Sequence, residues 1–457
     1  MSYASAIEQL NAMAPELHTQ PGQPRRKFSL AEIGTLLESL ANPHRRFRAV
    51  LIAGTNGKGS TAATLASVLQ ASGLRTGLYT SPHLVRPNER IRVDGAEIAD
   101  ADFARLYFRV MDCAQKLVLA GSKGESLALA QLPSYFETLT AMAFLHFAER
   151  EVDVAVLEVG MGGRLDATNI VDPLLSIVTD ISLDHTEWLG STIGAIAHEK
   201  AGILRHGGAL VTLPQHPEAN QALGEVATEL NVRGVSAVPY MPALSAHQQT
   251  GRLDAYTVEV QGAAVEVASP LHGAHQHRNI ALAIAAAVEL AEHHAFPITP
   301  ASIAAGIRAT RWPGRLETMA TSAGRQWVVD VAHNPAGAWA LRSALRTEFG
   351  LGDPDAPPAT LVFSCLRDKP LTELARILFP VFQQVIFAPI HSPRATSLSD
   401  LMAAAEATGT PAVAAASVEE ALVLAAKATG LVVISGSVYL VGEARGLLIP
   451  SPVNSAQ

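Results

Sequence analysis

The stretch that decides the fold is Ala53-Gly54-Thr55-Asn56-Gly57-Lys58-Gly59-Ser60-Thr61. An apolar run over residues 47–53 leads into it, and a helical pattern over residues 60–72 follows it. Glycines in such a strand-to-helix turn let main-chain N–H groups point at phosphate oxygens, while Lys58 adds a positive charge and the helix N-terminus adds its dipole. The stretch therefore predicts a loop that binds the phosphates of a nucleoside triphosphate.

This loop departs from the ordinary Walker A pattern at two positions. Ile52 stands where the first glycine is expected, and Gly59 separates Lys58 from Ser60. A glycine-rich turn with a surface lysine is the alternative interpretation. The strand before the loop and the helix after it favour the phosphate site, because that context is what the motif requires.

Composition and charge narrow the class of protein. A chain of 457 residues predicts two or three domains, and 48% apolar with 17% charged residues is typical of a globular protein rather than a disordered one. The net charge of −8 argues against a nucleic-acid partner, and the apolar runs are too short or too interrupted to cross a membrane. Two distant cysteines and an N-terminus without a secretory pattern favour the cytoplasm.

Strand and helix patterns alternate along most of the chain. After the first strand, further apolar strands are predicted at residues 77–80, 152–159, 174–179 and 208–213. Helical patterns lie between them, at residues 102–120, 134–150 and 191–201. Alternation of this kind indicates a parallel sheet with helices on both faces.

The pattern changes in the second half of the chain. Alternating residues at 256–260 and 264–267 flank Gln261-Gly262 and predict a small antiparallel hairpin, after which residues 277–292 are helical. Trp312-Pro313-Gly314 then interrupts the pattern. A second α/β series follows, with strands predicted at residues 326–331, 361–364, 384–388 and 431–435.

These patterns predict an α/β fold of two domains. A P-loop parallel-sheet ATPase domain is expected over residues 1–300, a linker over residues 301–315, and a smaller Rossmann-like α/β domain over residues 316–457.

Polar residues follow two of the predicted strands. Glu158 ends the strand 152–159, and His185 lies in Leu183-Asp184-His185-Thr186 after the strand 174–179. Ligands of open α/β sheets bind at the carboxyl ends of the strands, and a carboxylate there suits magnesium. Alternatively, Glu158 caps the loop that follows it, and a lone histidine is often purely structural.

Three further residues carry charge at informative places. Lys200 ends a helix, where by itself it would simply interact with the helix dipole. Arg315 offers a fork-shaped partner for phosphate, and Asp330 would accept hydrogen bonds from ribose hydroxyls. Both of these lie outside the P-loop domain, so ATP is expected to bind between two domains.

Taken together, these motifs resemble the Mur ligase superfamily and, within it, the folylpolyglutamate synthase/dihydrofolate synthase family. The resemblance spans about residues 28–440. Its motifs occur in the family's order, namely the loop at 54–60, Thr80-Ser81-Pro82-His83-Leu84, Glu89-Arg90, residues 157–169, residues 183–186, Glu199-Lys200-Ala201-Gly202 and residues 330–335. The peptidoglycan-building Mur ligases share the loop but not the motifs at 80–84 and 162–169.

The resemblance implies a fold, an activity and its partners. It implies the Mur ligase architecture and a carbon–nitrogen ligase that uses ATP and Mg²⁺ at two sites. The enzyme would join L-glutamate to dihydropteroate, and also to the γ-carboxyl of tetrahydrofolates, through an acyl phosphate. A monomer is expected.

The resemblance also implies roles for individual residues. Lys58, Lys200 and His185 would be catalytic, and Lys200 matches a carbamylated lysine that helps to bind a second metal ion. The implied magnesium ligands are Ser81, Glu158 and His185. The implied ATP-binding residues are Asn56, Gly57, Lys58, Gly59, Ser60, Asn279, Arg315, Asp330 and His333. The implied pteroate pocket contains Ser134, Tyr135, Phe136, Leu165, Asp166 and Ala167.

One segment departs from the family pattern, and three other functions stay open. In residues 28–33 the family is expected to carry an acidic residue followed by arginine, whereas this chain has Ala31-Glu32. Substrate contacts from that loop are therefore left open.

The alternative functions are a P-loop NTPase or kinase that needs no glutamate, a nucleotide-binding scaffold without activity, and a peptidoglycan-type Mur ligase that takes a UDP-sugar peptide.

Overall fold

The computed structural model describes residues 2–13, 29–123, 127–243, 255–320, 326–353 and 356–449. Phe28, the first residue of the segment that departs from the family pattern, lies outside these ranges, and residues 30–33 of that segment are helical rather than a loop. Helices and strands are numbered below in chain order.

The first sheet has eight strands in the order β4-β3-β2-β5-β1-β6-β7-β8. Its strands are β1 (Arg48–Ala53), β2 (Thr76–Tyr79), β3 (Ile91–Val93), β4 (Ala96–Glu97), β5 (Val154–Glu158), β6 (Pro173–Val178), β7 (Ala209–Thr212) and β8 (Arg233–Ser236). Strand β2 and strands β5 to β8 run parallel with β1, whereas β3 and β4 pair antiparallel at one edge. The predicted parallel sheet is present, with an antiparallel edge added.

Helices cover both faces of this sheet. They are α1 (Tyr3–Ala12), α2 (Leu30–Ser39), α3 (Lys58–Ala71), α4 (Asp100–Ser122), α5 (Tyr135–Glu149), α6 (Thr186–Leu189), α7 (Ile193–Ala201), α8 (Pro217–Glu229), α9 (Ala274–His294) and α10 (Pro300–Ala309). Side chains alternate between the faces of a strand, so Leu51 enters the core under α4 and α5, while Val50 and Ile52 enter the core under α3 and α9. A strand stretch with both faces buried must be apolar, as β1 is at residues 49–53 after the exposed Arg48.

A second sheet forms the C-terminal domain, in the order β11-β12-β16-β13-β14-β15. Its strands are β11 (Glu317–Ala320), β12 (Gln326–Val329), β13 (Ala359–Phe363), β14 (Gln384–Phe387), β15 (Ala412–Ala414) and β16 (Leu431–Ser435). The covering helices are α11 (Pro335–Phe349), α12 (Leu371–Leu378), α13 (Leu398–Ala407), α14 (Val418–Lys427) and α15 (Val438–Leu448). Strand β11 is antiparallel and the other pairs are parallel.

The predicted hairpin is present as β9 (Tyr256–Val260) and β10 (Ala263–Val267), which pair antiparallel. Other short strands carry no apolar run and were not expected. For example, β8 contains Arg233 and Gly234 and is largely exposed. Strand β8 is held at the edge of the sheet by its hydrogen-bonded pairing with β7 rather than by burial of apolar side chains.

The segment predicted as a linker, residues 301–315, is mostly helix. Residues 300–309 form α10, which begins at the N-cap Thr299 and packs closely against α3, where a Cβ added to Gly306 would lie 2.4 Å from the Cα of Val68. A tight helix crossing therefore joins this part of the predicted linker to the first domain. The division of the chain at residue 300 stays a proposal.

No helix in the described parts of the chain is both long enough and apolar enough to span a membrane.

Candidate active site

The loop between β1 and α3 is shaped by close main-chain approaches. A Cβ at Gly54 would lie 1.8 Å from Oγ1 of Thr179, and one at Gly57 would lie 2.1 Å from Oδ1 of Asn279. Gly57, at the N-cap of α3, has φ +88°, which glycine adopts readily and other residues do not. The main-chain N–H groups of Thr55 and Asn56 both donate to the carbonyl of residue 180. The glycine pattern is therefore required by packing, and Asn279, one of the implied ATP-binding residues, lies against the loop.

Two lysines meet at this loop. Lys58 Nζ donates to the carbonyls of Gly54 at 3.1 Å and Thr55 at 3.3 Å, and Lys200 Nζ donates to the carbonyl of Gly54 at 2.8 Å. Burial, and to a lesser extent the nearby charge of Lys58, lower the pKa of Lys200 to about 7. At neutral pH a large fraction of Lys200 is thus the uncharged amine.

The implied metal ligands lie at or after the carboxyl ends of β2, β5 and β6, three parallel strands of the first sheet. Glu158 is the last residue of β5 and is 4% exposed, and its Oε2 accepts from the main-chain N–H of Ser81, which follows β2. Burial raises the pKa of Glu158, while the charges of Lys58 and Arg315 and the hydrogen bond from Ser81 act against this rise. His185 lies at the N-cap of α6, and burial lowers its pKa to about 4, so its imidazole is neutral.

All of these residues line one cavity between the two domains, with a volume of about 340 Å³. The first domain contributes residues 54–60, together with Ser81, Glu158, His185, Lys200 and Asn279. The C-terminal domain contributes Arg315, Asp330 and His333, which come from the start of that domain and the end of β12. The structure thus brings together every predicted ATP-binding, metal-binding and catalytic residue.

Asp330 and His333, which the C-terminal domain contributes to the cavity, are fixed by hydrogen bonds to the main chain. The two carboxylate oxygens of Asp330 accept from the main-chain N–H groups of Leu316 at 2.9 Å and Ala332 at 2.8 Å. The ring of His333 contacts the carbonyl of Val331 at 2.8 Å through Nδ1, and burial lowers its pKa to about 4. Asp330 therefore shapes the turn after β12 in addition to facing the cavity.

A polar cluster between the domains was missed by sequence reasoning. Asp184 Oδ1 accepts from Lys369 Nζ at 2.7 Å and from the main-chain N–H of His185 at 2.9 Å. Asn334 donates to Oδ1 of Asn56 at 3.0 Å and to Oδ2 of Asp184 at 3.4 Å. Burial acts to raise the pKa of Asp184, but the charge of Lys369, together with the charges that His185 and His333 carry once protonated in acid, outweighs it, so the pKa of Asp184 lies well below the usual range. The Asp184 carboxylate therefore joins the two domains.

A signal for this cluster was present in the sequence. Asp184 stands in the motif beside His185, and Lys369 follows strand β13 at its carboxyl end. The same rule that singled out Glu158 applies to Lys369, but its partner lies 185 positions away in the chain. Pairing across that distance is visible only once the two sheets are placed.

A second cavity, of about 130 Å³, contains most of the implied pteroate pocket. Its lining includes Ser134, Phe136, Leu165, Asp166 and Ala167, together with Trp188 and Glu199, which were not predicted. Tyr135 is not in this lining, and its ring lies 5.3 Å from the guanidinium of Arg90. Asp166 Oδ2 accepts from the main-chain N–H groups of Gly160 and Met161, so it also holds the loop after β5.

The two cavities are neighbours. Both are lined by Met161, Gly162 and Leu189. A molecule bound in the smaller cavity could therefore extend past these shared residues towards the phosphate loop. The arrangement suits a reaction between an acceptor and the terminal phosphate of a nucleotide.

The donor set fits magnesium bound together with phosphate. Within the described ranges, no group of three or more His, Cys, Asp or Glu side chains is placed to hold a metal ion by itself. Magnesium normally binds through one or two carboxylates while water and substrate phosphates complete its shell. Glu158, a buried carboxylate that faces the same cavity as the phosphate loop, meets this description.

Comparison with protein-family models gives two matches. Residues 104–287 match the Mur ligase middle domain, and residues 314–438 match the Mur ligase glutamate ligase domain. Together they cover more than half of the chain.

Named relatives and solved structures agree with these matches. The folylpolyglutamate synthase of Lacticaseibacillus casei is 36% identical over 402 residues, which cover 86% of this chain and 87% of that protein. The dihydrofolate synthase/folylpolyglutamate synthase of Bacillus subtilis is 34% identical, over 83% and 85%. The Mycobacterium tuberculosis folylpolyglutamate synthase complexed with ADP and AMPPCP superposes with a TM-score of 0.84 at 32% identity, over 98% of this chain and 100% of that one. The chain therefore belongs to the Mur ligase superfamily and, within it, to the folylpolyglutamate synthase/dihydrofolate synthase family.

Proposed function

We propose that this protein adds L-glutamate to dihydropteroate and to the γ-carboxyl of tetrahydrofolates, in each case at the expense of ATP. The observation that carries the proposal is the adjacency of two cavities, one containing the phosphate loop and the other the acceptor residues 134, 136 and 165–167. Relatives named for both activities support it, as does the structure of Escherichia coli FolC in complex with DHPP and ADP, which superposes with a TM-score of 0.79 at 28% identity, over 98% of this chain and 97% of that one.

The proposed reaction activates the acceptor before the amide bond forms. A carboxylate is a poor electrophile, so its oxygen first attacks the γ-phosphorus of ATP, which gives an acyl phosphate and ADP. The glutamate amine then attacks the acyl carbon and loses a proton, and inorganic phosphate leaves. Lys58 would stabilise the charge that develops on the transferring phosphoryl oxygens, and such stabilisation is a large part of catalysis in this class of reaction.

The remaining cavity residues have positioning and binding roles in this proposal. Ser81, Glu158 and His185 would hold a magnesium ion, which when bound would neutralise charge on the phosphate oxygens. Asn279, Arg315, Asp330 and His333 would bind the nucleotide. Cavity walls supplied by both domains would keep water away from the acyl phosphate.

Lys200 has a separate proposed role. Its uncharged amine, which burial favours, is the form that reacts with carbon dioxide to give a carbamate. The reaction releases a proton, and the product would carry a negative charge beside Gly54 where the amine carries none, so it would serve as part of a second magnesium site. Lys200 is 4% exposed, so access of water to this group is limited.

A product assay resolved by mass tests the proposed function. Dihydropteroate and tetrahydrofolate are supplied separately, each with ATP, magnesium and glutamate. The expected products are one glutamate heavier than each acceptor by an amide bond, with ADP and phosphate released in equal amounts. ADP release that does not depend on glutamate would contradict the proposal and favour an NTPase or kinase, and turnover only with a UDP-sugar peptide would favour a peptidoglycan-type ligase.

A further inference from the structure

The segment that joins the two domains, which includes α10, lies along α3, the helix that follows the phosphate loop. Near the end of α3, Ser72 Oγ donates to Ser302 Oγ at 2.8 Å, and one turn earlier Ser67 Oγ donates to the carbonyl of Gly306 at 2.7 Å. The segment therefore runs antiparallel to α3, from the end of the helix back towards the phosphate loop.

The contact between this segment and α3 ends at Trp312, whose ring packs against the first turn of the helix. A Cβ added to Gly59 would lie 2.7 Å from Cζ2 of the Trp312 indole. The guanidinium of Arg92 also stacks on this ring, 5.8 Å from its centroid. Within the described residues the buried indole Nε1 has no hydrogen-bond partner, so packing rather than a hydrogen bond holds the ring in place.

Immediately after Trp312, the chain becomes attached to the C-terminal domain. The carbonyl of Gly314 accepts from the main-chain N–H of Val331 at 3.1 Å, and Gly314 turns the chain with φ +72°. Arg315, the next residue, lines the nucleotide cavity. Only Pro313 separates the residue packed on α3 from the residue bonded to the C-terminal domain, so the position of Trp312 limits where Arg315 can lie.

We propose that Trp312 is a positioning residue of the nucleotide site, which holds the Gly59 turn of the phosphate loop and Arg315 in a set relative arrangement. This proposal rests on the proposed function only in taking the cavity as the ATP site. It also explains why a glycine stands between Lys58 and Ser60, since any side chain at Gly59 would displace the indole. The Trp312 ring thereby links the position of the C-terminal domain to the binding of phosphate by the loop.

A double-mutant cycle on the full chain tests this inference. The dissociation constant of AMPPCP is measured by calorimetry for wild type, Gly59→Ala, Trp312→Ala and the double variant. Gly59→Ala is expected to weaken binding about tenfold in the wild type but less than about twofold in the Trp312→Ala background, because the ring that it displaces is already gone. Equal losses in both backgrounds would overturn the proposal.

Two further variants keep the test specific. Gly224→Ala, at a helical glycine of α8 with no atom within 4 Å of the added Cβ, is the matched control and is expected to leave AMPPCP binding unchanged. Trp312→Phe, which retains a flat ring, is expected to restore most of the affinity lost in Trp312→Ala. If Trp312→Ala does not fold, the same cycle is run with Trp312→Leu, which also lacks a ring at this position, and strict additivity there also overturns the proposal.

Steady-state kinetics separate this inference from the proposed function. Trp312→Ala is expected to raise the KM for ATP severalfold while the KM for glutamate stays within about twofold, since the ring contacts the phosphate loop. An equal rise in both KM values would indicate a general structural defect and overturn the positioning role. Failure of the wild type to ligate glutamate would overturn the proposed function and leave the AMPPCP cycle valid.

Discussion

Lys58 is the side chain whose charge faces the nucleotide cavity from the phosphate loop. Replacing it with alanine removes that charge from the site where the phosphoryl group is transferred. We expect Lys58→Ala to lower the rate of ADP release with both dihydropteroate and glutamate present by about 100- to 1,000-fold. Lys427→Ala, on the exposed side of α14, is the matched control and should retain full activity. Near wild-type turnover in Lys58→Ala would remove the phosphate role.

Lys200 makes stability depend on pH in a definite direction. Its pKa in the folded protein is about 7, below the ordinary lysine value, so between these values the unfolded chain binds more protons than the folded one. The free energy of unfolding therefore rises with pH across that window. In buffer free of metal and carbon dioxide, wild type should gain roughly 2–3 kcal/mol over Lys200→Met between pH 6 and pH 9. Parallel pH profiles in urea unfolding would show that Lys200 is not perturbed.

Helix α15 packs so closely against the first domain that one of its positions requires glycine. It passes so close to the loop after β2 that a Cβ at Gly442 would lie 1.8 Å from the carbonyl oxygen of Leu84. This loop also carries Ser81, so the contact joins the C-terminal domain to the edge of the sheet that we propose to bind magnesium. Gly442→Ala should lower the free energy of unfolding by about 1–3 kcal/mol and reduce ligase turnover.

The same helix offers the control for this prediction. Gly446 also lies in α15, and a Cβ added there meets no atom within 4 Å. Gly446→Ala should therefore leave turnover unchanged and leave stability the same or slightly higher, because alanine favours the helix. Chemical denaturation of both variants checks the pair, and equal behaviour would show that the Leu84 contact is not tight in solution.

The Asp184 cluster acts at the scale of the whole molecule. Lys369 is 6% exposed at its side chain and Asp184 is 12% exposed, so their ion pair is largely shielded from water, and it connects the two domains. Removing one partner leaves an unpaired buried charge, which typically destabilises by several kcal/mol. Lys369→Met should thus separate the domains and increase the radius of gyration of the nucleotide-free protein, as measured by small-angle X-ray scattering.

A second substitution distinguishes a lost ion pair from a lost side chain. Asp184→Asn combined with Lys369→Met removes both charges and should be less destabilised than Lys369→Met alone. Lys427→Met serves as the surface control with no change in radius. A double variant that is as open and as unstable as the sum of the single variants would show that the pair does not hold the domains together.

The sequence by itself determined the local chemistry and most of the regular structure of this protein. Apolar runs and glycine turns predicted the central strands of both sheets, and polar residues at strand ends pointed to Glu158 and His185, because strand edges and phosphate loops leave short-range patterns. Only the tertiary structure decided the pairing of Asp184 with Lys369 and the packing of Trp312 on Gly59. Contacts between residues so distant in the chain depend on how whole domains pack, and no local pattern encodes that packing.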